Sequence, residues 1–589
     1  MEVILSHFFK PKPQMAKAVY LCIRNHTDVF QIKKKVTVAT KILVPDNIPE
    51  APCKIVENGN IIYGIANYSD VIAEHAGSIC MGVAYPAQKN WWKPLDAYPD
   101  GSFAIFRSDD NYVEAVTDTT ASRTIWYYKD DSLFICSTSQ RAIISVMGKF
   151  NFDKRVIPWM LSSGSLGPTF SWCKNLSRLE PQASLLLNRK SWELSKKSEP
   201  VVFSASNISL KKHYEKLKEA LINSFNDFQF DITKWVLPLS GGYDSRAIAC
   251  LLKASGKNLA QIESVTWGLK ESLNKKNNDA YIAALVAKEM GMPHQYFATD
   301  KTEENIELVF KRFILNSEGR VDHIEGYTDG FKVWKTLFDN KKQGIMRGDE
   351  SFGWGAVTDA KRVRYMCGLT LCKDFANLEN YESYGFDKQE LPDFLHQRKG
   401  ETPQMLIDRY YVSFRIPTIM AALNDLKLSY VEVANPLLSR QILMHMRNIP
   451  DQLRIDRKAF IEAMKELVPD IKYATEDATH IKGNIFKIPE AITLMKKELN
   501  ADYMKEIFPE AFIKKVVDKL QQPEEVKKPG GVKNKLTKIM ALYFPSRLKE
   551  SLYNIMGKPV IDNCTLAFRI YLTGKMYKQL TEDATTCEE

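Results

Sequence analysis

At 589 residues the chain is too long for one ordinary hydrophobic core, so two or more domains are expected. A composition 45% hydrophobic and 26% charged is that of a soluble globular protein and excludes a disordered or fibrous one. The net charge of +10 admits an anionic partner, but the lysines are spread without a concentrated basic arm, so nucleic acid is not expected to bind.

No uninterrupted apolar run reaches the length of a membrane span, and Met1 to His7 does not read as a secretory signal, so no membrane partner and a cytoplasmic location are expected. The ten cysteines form no CxxC pair and no zinc-spaced cluster. Cys136 and Cys250 lie in apolar stretches, where a reduced thiol behaves as a small core residue.

In chain order, residues from about 17 to 200 read mainly as strands, with short apolar runs at 18–23, 101–106, 133–137 and 183–187. A boundary is expected at Ser198-Glu199-Pro200, before an amphipathic helix from Leu210 to Phe225. The pattern then changes to strands alternating with helices, the signature of a parallel sheet. Trp235 to Leu239 is a compact strand that feeds a glycine turn and a helix from Ala247 to Lys253. Ser264 to Trp267 is a second strand, followed by a helix from Asp279 to Met290. Loops and helices continue from Val431 to Ile471. Proline, glycine and charge accumulate from Gln521 to Lys535, marking a linker, and a basic helical tail ends in the polar Thr581 to Glu589.

The chemistry concentrates in Leu239-Ser240-Gly241-Gly242-Tyr243-Asp244-Ser245-Arg246, between a strand and a helix. Adjacent glycines let the backbone approach a ligand and present amides to it. Ser240 and Ser245 add hydroxyl donors, and the following helix adds its positive N-terminal end. Together these features suit a leaving pyrophosphate. Asp244 would be repelled by bare phosphate, so its presence argues for a bridging Mg²⁺.

This loop resembles the SGGxDS pyrophosphatase loop of the asparagine synthetase superfamily and related N-type ATP pyrophosphatases, whose relatives include β-lactam synthetases and lasso-peptide cyclases. Met346-Arg347-Gly348-Asp349-Glu350-Ser351-Phe352-Gly353 resembles the family's GxDExFGG element. By that resemblance Asp349 pairs with Asp244 to hold magnesium pyrophosphate, making both catalytic and metal-binding. Ser264 to Leu269 resembles the strand end that lines the adenine pocket, which adds Val265, Trp267 and Gly268 to Ser240, Gly241, Gly242, Asp244 and Ser245 as ATP-binding residues. Val431 to Leu438 resembles the EVRxPFLD segment, with Ser439 in place of its aspartate, and Arg457-Lys458-Ala459-Phe460 resembles the K-helix. A lysine that steadies pyrophosphate is expected between 472 and 487. Lys472, Lys482 and Lys487 are candidates, and Lys482 is carried as the catalytic one.

The resemblance implies an α/β chain in three parts. Residues 1–200 form an Ntn-hydrolase-like αββα sandwich, 201–510 a parallel-sheet (PP-loop) ATP pyrophosphatase domain, and 511–589 a basic helical extension. It implies a ligase that activates a small-molecule or peptide carboxylate as an acyl-adenylate, using ATP and Mg²⁺, for attack by ammonia or an amine. The chain also departs from the family. Glu2 stands where a working glutaminase has its N-terminal cysteine, so intrinsic glutaminase activity is not expected and a separate glutaminase would deliver any ammonia. Met346 stands where asparagine synthetases place a glutamate and β-lactam synthetases a tyrosine, and a thioether does no acid–base work. The competing readings are a non-catalytic nucleotide-binding or regulatory protein and a tRNA-modifying pyrophosphatase.

Overall fold

The structure, a computed structural model, describes residues 17–24, 28–68, 72–85, 90–97, 99–228, 231–479, 485–521 and 558–586. The expected linker, apart from Gln521, and Lys482 lie outside the described residues.

The N-terminal part contains two antiparallel six-stranded sheets. The first has the order β10-β8-β9-β1-β3-β2. Its strands are β1 (Lys17–Ile23), β2 (Cys53–Asn58), β3 (Ile61–Ala66), β8 (Trp126–Lys129), β9 (Leu133–Ser137) and β10 (Ser177–Arg178). The second has the order β12-β11-β7-β6-β5-β4. It contains β4 (Ala73–His75), β5 (Ser78–Ala84), β6 (Gly101–Ser108), β7 (Tyr112–Thr117), β11 (Ala183–Asn188) and β12 (Leu194–Ser198).

β1 shows why this region reads as continuous apolar runs. Every residue in it is buried, and alternate side chains enter different cores. Ala18, Tyr20 and Cys22 point between the sheets, against Met81, Phe106 and Leu185. Val19, Leu21 and Ile23 point outward, under Ile32, Val36 and Ala39 of the helix Val29–Lys41 and Ala142, Ile143 and Val146 of the helix Gln140–Met147.

The third sheet is parallel throughout, with five strands in the order β15-β14-β13-β16-β17. They are β13 (Trp235–Pro238), β14 (Glu263–Gly268), β15 (His294–Ala298), β16 (Gly344–Met346) and β17 (Glu432–Ala434). From β13 the chain steps outward one way to β14 and β15, then returns to the other side of β13 for β16 and β17. The direction of winding therefore reverses between β13 and β16, and a crevice outside their carboxyl ends is where such a sheet binds ligands. The segments that follow these two strands carry the glycine loop and the Asp349 motif.

The N-terminal sheets meet the parallel sheet through buried polar contacts. Arg123 pairs with Glu432 of β17, the Asn435 amide donates to Ser102 at 2.9 Å, and the Arg440 amide donates to Asp100 at 2.7 Å. The C-terminal helix Asn563–Thr585 is packed in, with Phe568, Ile570, Tyr571, Leu572 and Met576 fully buried. Arg141 binds Asp583 of that helix at 2.7 Å.

Candidate active site

β13 ends at Pro238, and the helix Tyr243–Ala254 starts directly after Gly242, earlier than the periodicity of its apolar residues predicts. The four residues between are cross-tied. Ser240 N–H donates to Ser245 Oγ at 2.9 Å, the two hydroxyls lie 3.0 Å apart, and Gly242 N–H donates to Ser240 Oγ at 3.2 Å. Gly241 N–H donates to Asp279 Oδ1 at 3.0 Å. The loop is thus preshaped, and its amides hold partners that an anion would replace.

The turn after β16 abuts this loop. A Cβ on Gly348 would fall 2.9 Å from the Asp244 Cβ, so only glycine lets the two segments approach so closely. Burial pushes the Asp244 carboxyl up, Arg457 acts against that shift, and the Asp349 charge adds to it. The two carboxylates singled out in the sequence are therefore electrostatic neighbours. Arg457 Nη1 contacts both oxygens of Asp244, at 2.9 and 3.2 Å, and its Nη2 reaches Glu350 at 3.0 Å. Glu350 is pushed up to about 8 by burial and by Asp244. Arg347 binds Asp349 Oδ1 at 2.9 Å, while Asp349 Oδ2 is buried without a hydrogen-bond partner.

These residues fit a magnesium ion that rides on a phosphate. Among the described residues no three His, Cys, Asp or Glu side chains form a metal cage. Mg²⁺ does not need one, because it is held by one or two carboxylates together with phosphate oxygens and water. Asp244 and Asp349 supply two carboxylates whose burial is incompletely compensated, and the open oxygen of Asp349 is a free acceptor.

The strand end expected to face adenine lies beside the loop. Val265 is buried in β14, and Trp267 is half-buried with its ring centroid 5.2 Å from that of Trp334. A strap at 471–478 crosses both elements. Ala474 N–H donates to Gly241 O at 3.1 Å, and Leu269 N–H donates to Ala478 O at 2.9 Å. Side chains at Gly241 and Gly268 would strike Ala474 Cβ at 2.4 Å and Ala478 O at 2.5 Å. These glycines thus serve chain packing as well as any ligand, which the sequence did not reveal. Arg246 fixes the strap by donating to Ile471 O at 2.5 Å and Lys472 O at 3.2 Å, and Tyr243 stacks on Tyr473 at 3.8 Å.

Of the three candidate lysines, Lys472 is tied to the loop through its backbone, and Lys487 pairs with Asp562 at 2.8 Å. Sequence reasoning quoted Arg457 within a motif without giving it a role, and it passed over Lys427. Met346 is fully buried, in the core that also holds Ile248 and Phe460.

A glycine loop and an acidic turn at the switch point of a parallel sheet, joined to paired antiparallel sheets, make a mixed α/β fold consistent with an Ntn-like unit plus a PP-loop synthetase domain. Residues 216–313 match the family model described as asparagine synthase, which supports membership of the asparagine synthetase superfamily. The match covers the glycine loop and β13 to β15 and ends before Asp349. No curated protein matches the chain. The matched domain supports an ATP-dependent ligase acting on a carboxylate and an amine or ammonia. Among the described residues, no helix is long and apolar enough to cross a membrane.

Proposed function

We propose that the chain is an AMP- and pyrophosphate-forming amide ligase that activates a carboxylate as an acyl-adenylate for attack by ammonia or an amine, and that it does so without glutaminase activity of its own. The observation that carries this reading is the convergence of Asp244 and Asp349 at the crevice between β13 and β16. In this reading Ser240, Gly241, Gly242 and Ser245 hold the pyrophosphate, and Val265, Trp267 and Gly268 flank the adenine. Asp244 and Asp349 hold Mg²⁺, which when bound neutralises the leaving group. Lys482 is the proposed lysine on the pyrophosphate. The proposed division is 1–200, 201–510 and 511–589, and the proposed location is the cytoplasm.

The loss of glutaminase activity is supported by Cys22. It is enclosed near the end of β1, and burial pushes its thiol up to about 11, away from a nucleophilic thiolate. A second reading, a nucleotide-binding protein without turnover, is favoured by the internal bonding of the loop amides and the strap across Gly241. The test is ATP–pyrophosphate exchange over a panel of amino-acid and uronic-acid carboxylates. Exchange that depends on one carboxylate supports the ligase. ATP binding without exchange across the panel favours the second reading.

A further inference from the structure

A ligase of this kind must remove a proton from the incoming amine, and the core position of Met346 offers nothing that can do so. One titratable pair that the proposed site leaves unused, Lys427 and Tyr327, has Asp349 of the same turn as an electrostatic neighbour. Lys427, in the helix Ala421–Leu428, is 4% exposed. Its Nζ donates to Tyr327 Oη at 3.0 Å and to Leu423 O at 2.7 Å. Among the described residues it makes no ion pair with a carboxylate. The Nζ also lies 5.6 Å from the centroid of Trp334, whose ring meets Trp267 at the end of β14. Arg347 and Asp349, just after β16, act on it electrostatically. Lys427 therefore links, through Trp334, to the strand end assigned to adenine and, through charge, to the turn assigned to the metal.

We propose that Lys427, oriented by Tyr327, accepts the proton that the attacking amine loses as the amide bond forms. The inference rests on the ligase reading above. The amine nitrogen forms a bond to the activated carboxyl carbon, the carbon–oxygen bond to AMP breaks with its electron pair remaining on AMP, and the nitrogen's proton passes to Lys427 Nζ. A neutral amine that donates both N–H groups, to Tyr327 and Leu423, retains a lone pair for that proton. Burial favours that neutral form, since it moves the Lys427 amine well below its ordinary range. The charged groups acting on it are Arg347, which favours the neutral form, and Asp349 and Asp425, which oppose it. An ammonium ion has no lone pair, so the acceptor must be neutral to attack, and it sheds its extra proton as the new bond forms.

The experiment uses full-length wild type, Lys427→Met, Lys427→Arg and Tyr327→Phe, with ATP, MgCl₂ and the carboxylate panel, and ammonium or hydroxylamine as nucleophile. Hydroxylamine is already neutral near neutrality and needs little help from a base. Carboxylate-dependent ATP–pyrophosphate exchange should persist in every variant. Ammonium-dependent amide formation should fall about a hundredfold in Lys427→Met and Lys427→Arg, while hydroxamate formation falls far less. Tyr327→Phe should lower the ammonium rate less than either lysine variant. Equal loss with both nucleophiles, or loss of exchange together with amide formation at unchanged melting temperature, would overturn the role of Lys427 and leave the ligase reading standing. Wild type without carboxylate-dependent exchange would overturn the ligase reading itself, and this role with it.

Discussion

Arg457 holds Asp244 through both carboxylate oxygens, at 2.9 and 3.2 Å, from a backbone position in the left-handed region (φ 58°). Asp456 before it is also left-handed, at φ 55°. Consecutive non-glycine residues in that conformation cost energy, and the surrounding contacts must over-determine them. Here the return is a guanidinium wedged between Asp244 and Glu350. It supplies the positive charge that two crowded carboxylates require.

If Asp244 and Asp349 serve one metal ion, each should matter more to turnover than to folding. Neutralising a leaving group is among the larger catalytic terms, and losing one such interaction costs on the order of 3 kcal/mol, about a hundredfold in rate. Asp244→Asn and Asp349→Asn should each show that loss in pyrophosphate release, with the double variant losing less than the sum. Melting temperature should hold, because burial already works against the Asp244 charge. Full turnover in Asp244→Asn at unchanged stability would leave the metal-bridged mechanism without support.

Removing the guanidinium tests the same cluster by another readout. Arg457→Met leaves Asp244 and Glu350 without that compensation, so the protein should melt earlier. The side chain is 37% exposed, and the loss should be correspondingly smaller than for a fully buried pair. Added Mg²⁺ should raise the melting temperature more in Arg457→Met than in wild type, because the cation replaces the missing charge. An identical Mg²⁺ response in both proteins would argue that the ion binds elsewhere.

Glutamine should not be hydrolysed. Purified protein given glutamine and ATP is expected to release no glutamate above a blank, in keeping with the enclosed Cys22. Glutamate release abolished by Cys22→Ala would reverse this.

The sequence exposed what local chemistry controls. The apolar run of β1, the Gly241-Gly242 turn before a helix, and the helix at Asp279–Met290 are all written within a few neighbouring residues. Asp349 became visible only through its motif, since nothing near it in the chain indicates a partner at Asp244. The hold of Arg457 on Asp244 spans 213 residues and depends on two left-handed backbone positions that no periodicity marks. Lys427 reads as an ordinary helical lysine until the fold brings Tyr327 and Trp334 around it. The C-terminal helix is legible as a basic helix but not as a core element, because nothing local shows that Phe568, Ile570, Tyr571 and Leu572 pack against segments hundreds of residues away.

Arg569 is one of the groups that fasten that helix, and its role can be read from acid stability. Arg569 Nε donates to Asp322 Oδ2 at 2.7 Å, and its Nη1 donates to Leu161 O at 2.7 Å and Ser162 O at 3.0 Å. It therefore ties the C-terminal helix both to the N-terminal part and to the segment before β16. Burial alone would raise the Asp322 carboxyl, but Arg569 and His323 reverse this and hold it at about 2. A carboxyl depressed on folding contributes stability above its unfolded pKa, and that contribution is lost as pH falls through the folded value. Over the gap between about 3.8 and about 2 the contribution amounts to about 2 kcal/mol. Wild type should accordingly be more stable than Asp322→Asn at neutral pH, and the difference should shrink as pH falls from about 4 towards about 2. Arg569→Met should cost more, about 3 kcal/mol, because it removes the arginine partner of Asp322 and the hydrogen bonds to Leu161 O and Ser162 O together. Chemical denaturation of the three proteins across that range is the measurement. A gap between wild type and Asp322→Asn that stays constant down to the lowest pH would show that Asp322 acts through packing alone and not through its charge on Arg569.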